Sequence, residues 1–78
     1  MTIIFTKHAE DAIKLRSLNK IFIEKALKNP DIVGLARGNK KYYLKDFGTN
    51  YMKVIAVDEG ENTHVITAYW LEKKRIKE

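Results

Sequence analysis

Residues 51–70 read YMKVIAVDEGENTHVITAYW, two strand-like runs joined by a polar connection that contains a glycine. Val54, Ile55 and Val57 in the first run, and Val65, Ile66, Thr67 and Tyr69 in the second, are β-branched or aromatic types that suit a pleated surface. Asp58, Glu59, Gly60, Glu61 and Asn62 extend neither run cheaply and mark the turn. A lone hairpin is marginal in water, so the other segments must supply further strands and a covering layer.

Working back from the hairpin, Lys41–Asp46 (KYYLKD) reads as a strand and Phe47–Asn50 (FGTN) as a tight turn. Arg37, Gly38, Asn39 and Lys40 form the turn before it, while Asp31–Ala36 (DIVGLA) fits either a short strand or an extended connection. Two amphipathic helices are expected upstream. In the first, Lys7 to Arg16, Ala9, Ala12, Ile13 and Leu15 form the apolar positions and Thr6 stands where an N-cap belongs. The second follows Asn19 as N-cap, buries Phe22, Ile23, Ala26 and Leu27, and stops at Asn29-Pro30. Thr2–Phe5 (TIIF) is a short first strand, and the tail LEKKRIKE either adds a helical turn or trails.

The order β-α-α-β-β-β defines an α+β fold with two helices packed on one face of an antiparallel sheet. Strand alternation sorts the hairpin into two faces. We assign Met52, Val54, Ala56, Ile66, Ala68 and Trp70 to the face under the helices, with Trp70 in the core. The opposite, open face then carries Lys53, Thr67 and Tyr69, with Tyr51 at one end and Lys41, Tyr43 and Lys45 beside it. Lysines among tyrosines on an open sheet suit single-stranded RNA, cations holding phosphates and rings stacking on bases.

Composition agrees with a single domain over residues 1–78. A chain of this size buries only about 60–65% of the surface its unfolded form exposes. It has no cysteine, so no disulfide or thiolate metal site supports the small core. The apolar patch at the start is far shorter than a signal core or membrane span, which makes a cytoplasmic protein the expectation. The net charge of +5 is concentrated: residues 32–57 carry five bases against Asp46 alone, whereas residues 58–63 carry three acids. Such clustering is expected of a phosphate-binding surface, and equally of a solvated lysine-rich one.

The stretches FTKHAEDAIKLRSLNKIFIEKALKNPD (5–31), GNKKYYLKDF (38–47), MKVIAV (52–57) and HVITAYW (64–70) together resemble a family of small prokaryotic proteins. That family is related to the BrnT toxins and, more distantly, to the RelE/ParE-like toxins of toxin–antitoxin modules. The marks are His8-Ala9, Arg16, Asn29-Pro30, Tyr42-Tyr43 and Thr67. The chain departs from the family in carrying Ala12 where an arginine is common and Ser17 where a glycine is common. The resemblance implies a RelE-like fold and an RNA endonuclease acting on free RNA or at the ribosome, neutralised by a cognate antitoxin protein. It equally admits a relative that keeps the scaffold without the chemistry and binds nucleic acid or protein.

Metal-independent RNA cleavage needs a base for the 2′-hydroxyl, an acid for the leaving oxygen and cations for the developing charge. His8 is the candidate acid/base, Arg16 the phosphate clamp about two turns along the same helix, and Tyr69 the third catalytic candidate. Lys40, Lys41, Lys53, Tyr43 and Thr67 are candidate RNA or phosphate contacts. A structural reading stands beside this one: His8 as a helix-start residue bonded to the sheet, and Arg16 as the ionic partner of Asp31 or Glu24. His64 is expected as an exposed strand-start residue. The histidines are far apart without supporting carboxylate spacing, which argues against zinc. No Gly-rich phosphate loop, Ser-His-Asp set or cysteine nucleophile is present, and no cofactor is implied.

Overall fold

The structure, a computed structural model, describes residues 1–73. Strand β1 (Thr2–Phe5) is followed by helices α1 (Lys7–Arg16) and α2 (Lys20–Lys28). Strands β2 (Ile32–Leu35), β3 (Lys41–Asp46), β4 (Asn50–Glu59) and β5 (Asn62–Glu72) complete the element order. They form one five-stranded sheet in the order β1-β5-β4-β3-β2, with both helices on one face. The α+β class and the two-helix layer are those expected. Two features go beyond the expectation. The Asp31–Ala36 stretch is resolved as strand β2, and β1 pairs parallel with β5 (Ile3 opposite Thr63, Phe5 opposite Val65), so the sheet is mixed. The expected helical turn or trailing tail falls largely beyond Lys73, outside the described residues.

The helix boundaries follow from their caps. The Thr6 hydroxyl accepts the Ala9 amide at 3.1 Å and itself donates to the Val65 carbonyl at 2.7 Å. One side chain therefore caps α1 and fastens its first turn to β5. At the other end, Ser17 occupies the left-handed region (φ 54) and its amide bonds back to the carbonyl of Lys14 at 3.3 Å. That is the conformation in which glycine avoids a Cβ clash and a serine does not. The Asn19 side chain caps α2 through the Ile21 amide, and Lys20 ties the helices together through Glu10 at 3.0 Å.

The core lies between the helices and the sheet: Ala9, Ile13, Ile23, Ala26 and Leu27 from above, and Tyr43, Met52, Val54, Ala56, Val65 and Ala68 from below. A β-bulge reshapes the expected facing. Ile55 is opposite Thr67, yet Ala56 is opposite Val65, so Ile66 is the extra residue. Past it the alternation inverts, and Val65 and Thr63 point into the core where a regular strand would have continued from the assigned Ile66. Ile66 is consequently only half-buried.

Trp70 also needs correction. It is on the helix side, but at the rim, 40% exposed, with edge-on contacts to Phe22 (5.5 Å) and Phe47 (5.8 Å). Between β4 and β5 the loop shrinks to Gly60 and Glu61, and a positive φ of 63 at Gly60 makes the tight two-residue reversal. Among the described residues no helix is long and apolar enough to cross a membrane.

Two stability outcomes follow from this packing. Met52→Ala, at a fully buried position, is expected to cost about 2–5 kcal/mol in urea unfolding. Leu15→Ala, on a side chain 81% exposed, should stay within about 0.5 kcal/mol of the parent. Ser17→Gly relieves a left-handed penalty of about 1–2 kcal/mol and adds an unfolded-state cost of about 0.4–1 kcal/mol. A net gain in the same urea titration is therefore expected, and a loss would rule out strain at Ser17.

Candidate functional site

The residues proposed for chemistry lie on α1 and on the outer half of β5. β1 covers β5 only from Asn62 to Val65, after which the chain turns into α1, which packs beside the rest of β5. His8, Asp11, Ala12, Leu15 and Arg16 of α1 and Thr67 of β5 line one open depression of about 320 Å³. That is at the small end of the range for ligand sites. The Arg16 guanidinium reaches on to the Tyr69 ring, 5.9 Å from its centroid. His8, Arg16 and Thr67 thus border one depression, and Tyr69 adjoins it through Arg16.

The structural alternative for these residues does not hold in the form expected. His8 is exposed and makes no hydrogen bond to the sheet, and Arg16 pairs with neither Asp31 nor Glu24. Asp11 is a site residue the sequence reading passed over. Its signal was its place three residues after His8, on the same side of α1.

From Tyr69 an alternating row crosses the open face. Lys53 is opposite Tyr69, and its ammonium lies 5.8 Å from that ring and 5.1 Å from the Tyr42 ring on β3. Tyr42 in turn lies across Gly34 of β2, where an added Cβ would sit 2.3 Å from its ring. Arg16, Tyr69, Lys53 and Tyr42 therefore alternate cation and aromatic across the sheet, and Gly34 leaves room for the last ring. Exposed or half-exposed tyrosines between cations offer both stacking surface and phosphate counter-charge.

Tyr42 replaces Tyr43 in this row, and the reason is the parity of a turn. β3 and β4 pair Asp46 with Tyr51 around four intervening residues, so odd positions on one strand face even positions on the other. Tyr43 is opposite Val54, Lys45 opposite Met52 and Lys41 opposite Ala56. All three point to the helix side, which overturns their placement on the open face. Lys40 sits in the β2–β3 turn, apart from the row. His64, half-buried opposite Val57, has its Nε2 3.3 Å from Glu59 but outside hydrogen-bond geometry.

On the helix side Tyr43 has a structural role. Its hydroxyl donates to Asp58 at 3.1 Å, and the same carboxylate accepts from the Thr63 hydroxyl at 2.9 Å and lies 3.7 Å from the Lys41 ammonium. Burial first, then the hydrogen bond and charge of Asp58, push the Tyr43 phenol above its ordinary value. At the far end of β3, Asp46 has its carboxyl lowered by the Lys73 ammonium and then by the Gly48 amide.

The fold and site define a small α+β domain with a cation–tyrosine row across the free face of a mixed sheet. No protein-family profile, no curated protein and no solved structure matches this chain. Among the described residues no cluster of His, Cys, Asp or Glu is placed to hold a metal ion.

The Tyr43 contact has a signed pH consequence. A phenol whose folded pKa lies above its unfolded value adds stability that is complete below pH 10.0 and is lost as pH rises through the folded value. Tyr43→Phe is expected to flatten the alkaline limb of a stability–pH curve above pH 10.0 relative to the parent. An unchanged alkaline limb would exclude Tyr43 as its source.

Proposed function

We propose that the chain is a toxin-like RNA endonuclease that lays single-stranded RNA over its open sheet face and cuts it without a metal at the α1–β5 depression. The observation that carries this reading is the convergence of His8, Arg16 and Thr67 on one depression, with Tyr69 under the arginine. In the proposed step the ribose 2′-oxygen attacks phosphorus while His8 takes its proton. The 5′-oxygen leaves with a proton from the Tyr69 hydroxyl, giving a 2′,3′-cyclic phosphate and a 5′-hydroxyl end. Arg16 offsets the charge that builds on the phosphoryl oxygens, and Thr67 orients the phosphate. Lys53 leaves the tyrosine faces for a phosphate, freeing Tyr42 and Tyr69 to stack on bases. The resemblance to the BrnT and RelE/ParE-like toxins supports the same class and brings two partners with it, the ribosome and a cognate antitoxin protein.

A second reading, a binding module without cleavage, is favoured by one observation. Among the described residues His8 has no hydrogen-bond partner to hold its ring in a working tautomer.

Purified protein incubated with free RNA and with translating ribosomes separates the two. Endonuclease action predicts cyclic-phosphate ends, a loss of about 10²–10⁴ in rate for His8→Ala and of about 10²–10³ for Arg16→Ala. Tyr69→Phe should slow cutting while leaving RNA affinity nearly intact. Salt-dependent binding that weakens in Lys53→Ala, with no cut product in either format, would establish the binding module and exclude the endonuclease.

A further inference from the structure

The outer edge of β2 has no part in the RNA reading, yet it is unusually apolar for a sheet edge. Ile32, Val33 and Leu35 are 39%, 51% and 83% exposed. The strand, IVGL, contains none of the lysines or prolines that commonly blunt an edge. Its hydrogen-bonding phase is set by β3. The Ala36 amide donates to Lys40, and Gly34 is opposite Tyr42. Alternation along an antiparallel pair then turns the backbone groups of Ile32, Gly34 and Ala36 inward and those of Val33 and Leu35 outward.

We propose that two copies of this chain associate through β2, antiparallel about a two-fold axis at Gly34. In that register Val33 faces Leu35 of the second copy, and the reciprocal pair does the same on the other side of the axis. The outward amides and carbonyls of both residues are then satisfied by four hydrogen bonds. Just past each end of the strand pair, Arg37 of the second copy comes opposite Asp31, whose Oδ2 holds the Asp46 amide and whose Oδ1 is left for the guanidinium, so opposite charges meet twice. Val33 and Leu35 from both copies gather into one apolar patch on the helix side. On the open side Gly34 meets its own counterpart, with the Tyr42 ring of each copy lying across its own glycine.

The other registers of the same phase fit less well. Centring on Val33 needs the Asp31 amide, which is already donated to Leu44 at 2.8 Å inside the sheet. Centring on Leu35 sets Arg37 against Val33 and leaves Asp31 without a counter-charge. A second copy is favoured over a foreign strand because the edge is self-complementary in both hydrogen bonds and charge. The inference does not depend on the RNA reading.

Sedimentation of the full chain over a concentration series tests it. The parent is expected to reach the dimer mass. Leu35→Lys, at a side chain free of packing in the monomer, and Val33→Pro, which removes an outward donor only, should each weaken the dimer about tenfold or more. Arg37→Asp alone and Asp31→Arg alone should both sediment as monomers, because like charges then meet at both ends. An equimolar mixture of those two variants should recover a dimer, since each end again joins opposite charges.

Asp31 also accepts the Asp46 amide at 2.7 Å, so circular dichroism accompanies that variant. If it is unfolded, Arg37→Asp and Leu35→Lys decide alone. A parent that remains monomeric throughout, or a dimer indifferent to Leu35→Lys and Val33→Pro, would overturn the proposal.

Discussion

The extra residue at Ile66 governs how the rest of the sheet is used. Without it, a regular β5 that turned Ala68 toward the helices would also turn Ile66 and His64 toward them. With it, Val65 and Thr63 enter the core, and Thr67 and Tyr69 stay on the other side. The bulge follows directly on the carbonyl of Val65, which accepts both the amide and the hydroxyl of Thr6. The place where β5 changes phase is therefore the place where β1 ends and α1 is fastened. α1 then runs beside the half of β5 that carries Thr67 and Tyr69. Bulges commonly re-aim side chains near functional sites, and here the bulge sets which residues border the depression.

The two faces of the sheet solve opposite problems. The helix side is dry and small-grained: alanines at positions 9, 26, 56 and 68 let the helices approach, and the rings of Phe22, Phe47 and Trp70 close one end. The polar groups at the opposite end are gathered on Asp58, which accepts from Tyr43 and Thr63 in a half-exposed network. On the free side, burial is only partial, and long amphipathic side chains cover the strands. Lys53 lies over two rings, and Leu44, opposite it on β3, is buried although no helix covers that face. Cations parked on aromatic faces are cheap to move. A bound polyanion gains them without first breaking strong ion pairs.

Much of this was legible in the residues, where a local rule governed. Thr6 and Asn19 announced the helix starts, Asn29-Pro30 the helix end, and the β-branched runs the hairpin. The placing of His8 and Arg16 on one side of α1 followed from helical spacing, whereas their meeting with Thr67 depends on α1 lying beside β5, which no local rule announces. The errors share one cause, which is parity. A strand's facing is a two-valued quantity, and one uncounted residue reverses everything beyond it. The bulge at Ile66 took Ile66 out of the assigned core and put Val65 there. The even-length turn between β3 and β4 exchanged Tyr42 for Tyr43 and moved Lys41 and Lys45 to the helix side. Counting Phe47–Asn50 as an even loop would have recovered the second error. No residue in HVITAYW announces the first. The parallel pairing of β1 was also out of reach, because it joins the two ends of the chain.

That last pairing ties the order of synthesis to the onset of structure. Thr2 and Asn62 are opposite one another, so β1 finds its seat only once β5 has been made. A nascent chain that has emerged up to β4 holds β3 and β4 as a hairpin. Its first helix, however, has no β5 to rest on and no Val65 carbonyl for Thr6. Contacts this distant in sequence carry a loop-closure cost that is repaid only when the final strand docks. The depression on α1 and β5 comes into being at the same moment. An emerging chain that still lacks β5 therefore lacks the depression as well, however well its helices and its β3–β4 hairpin are formed.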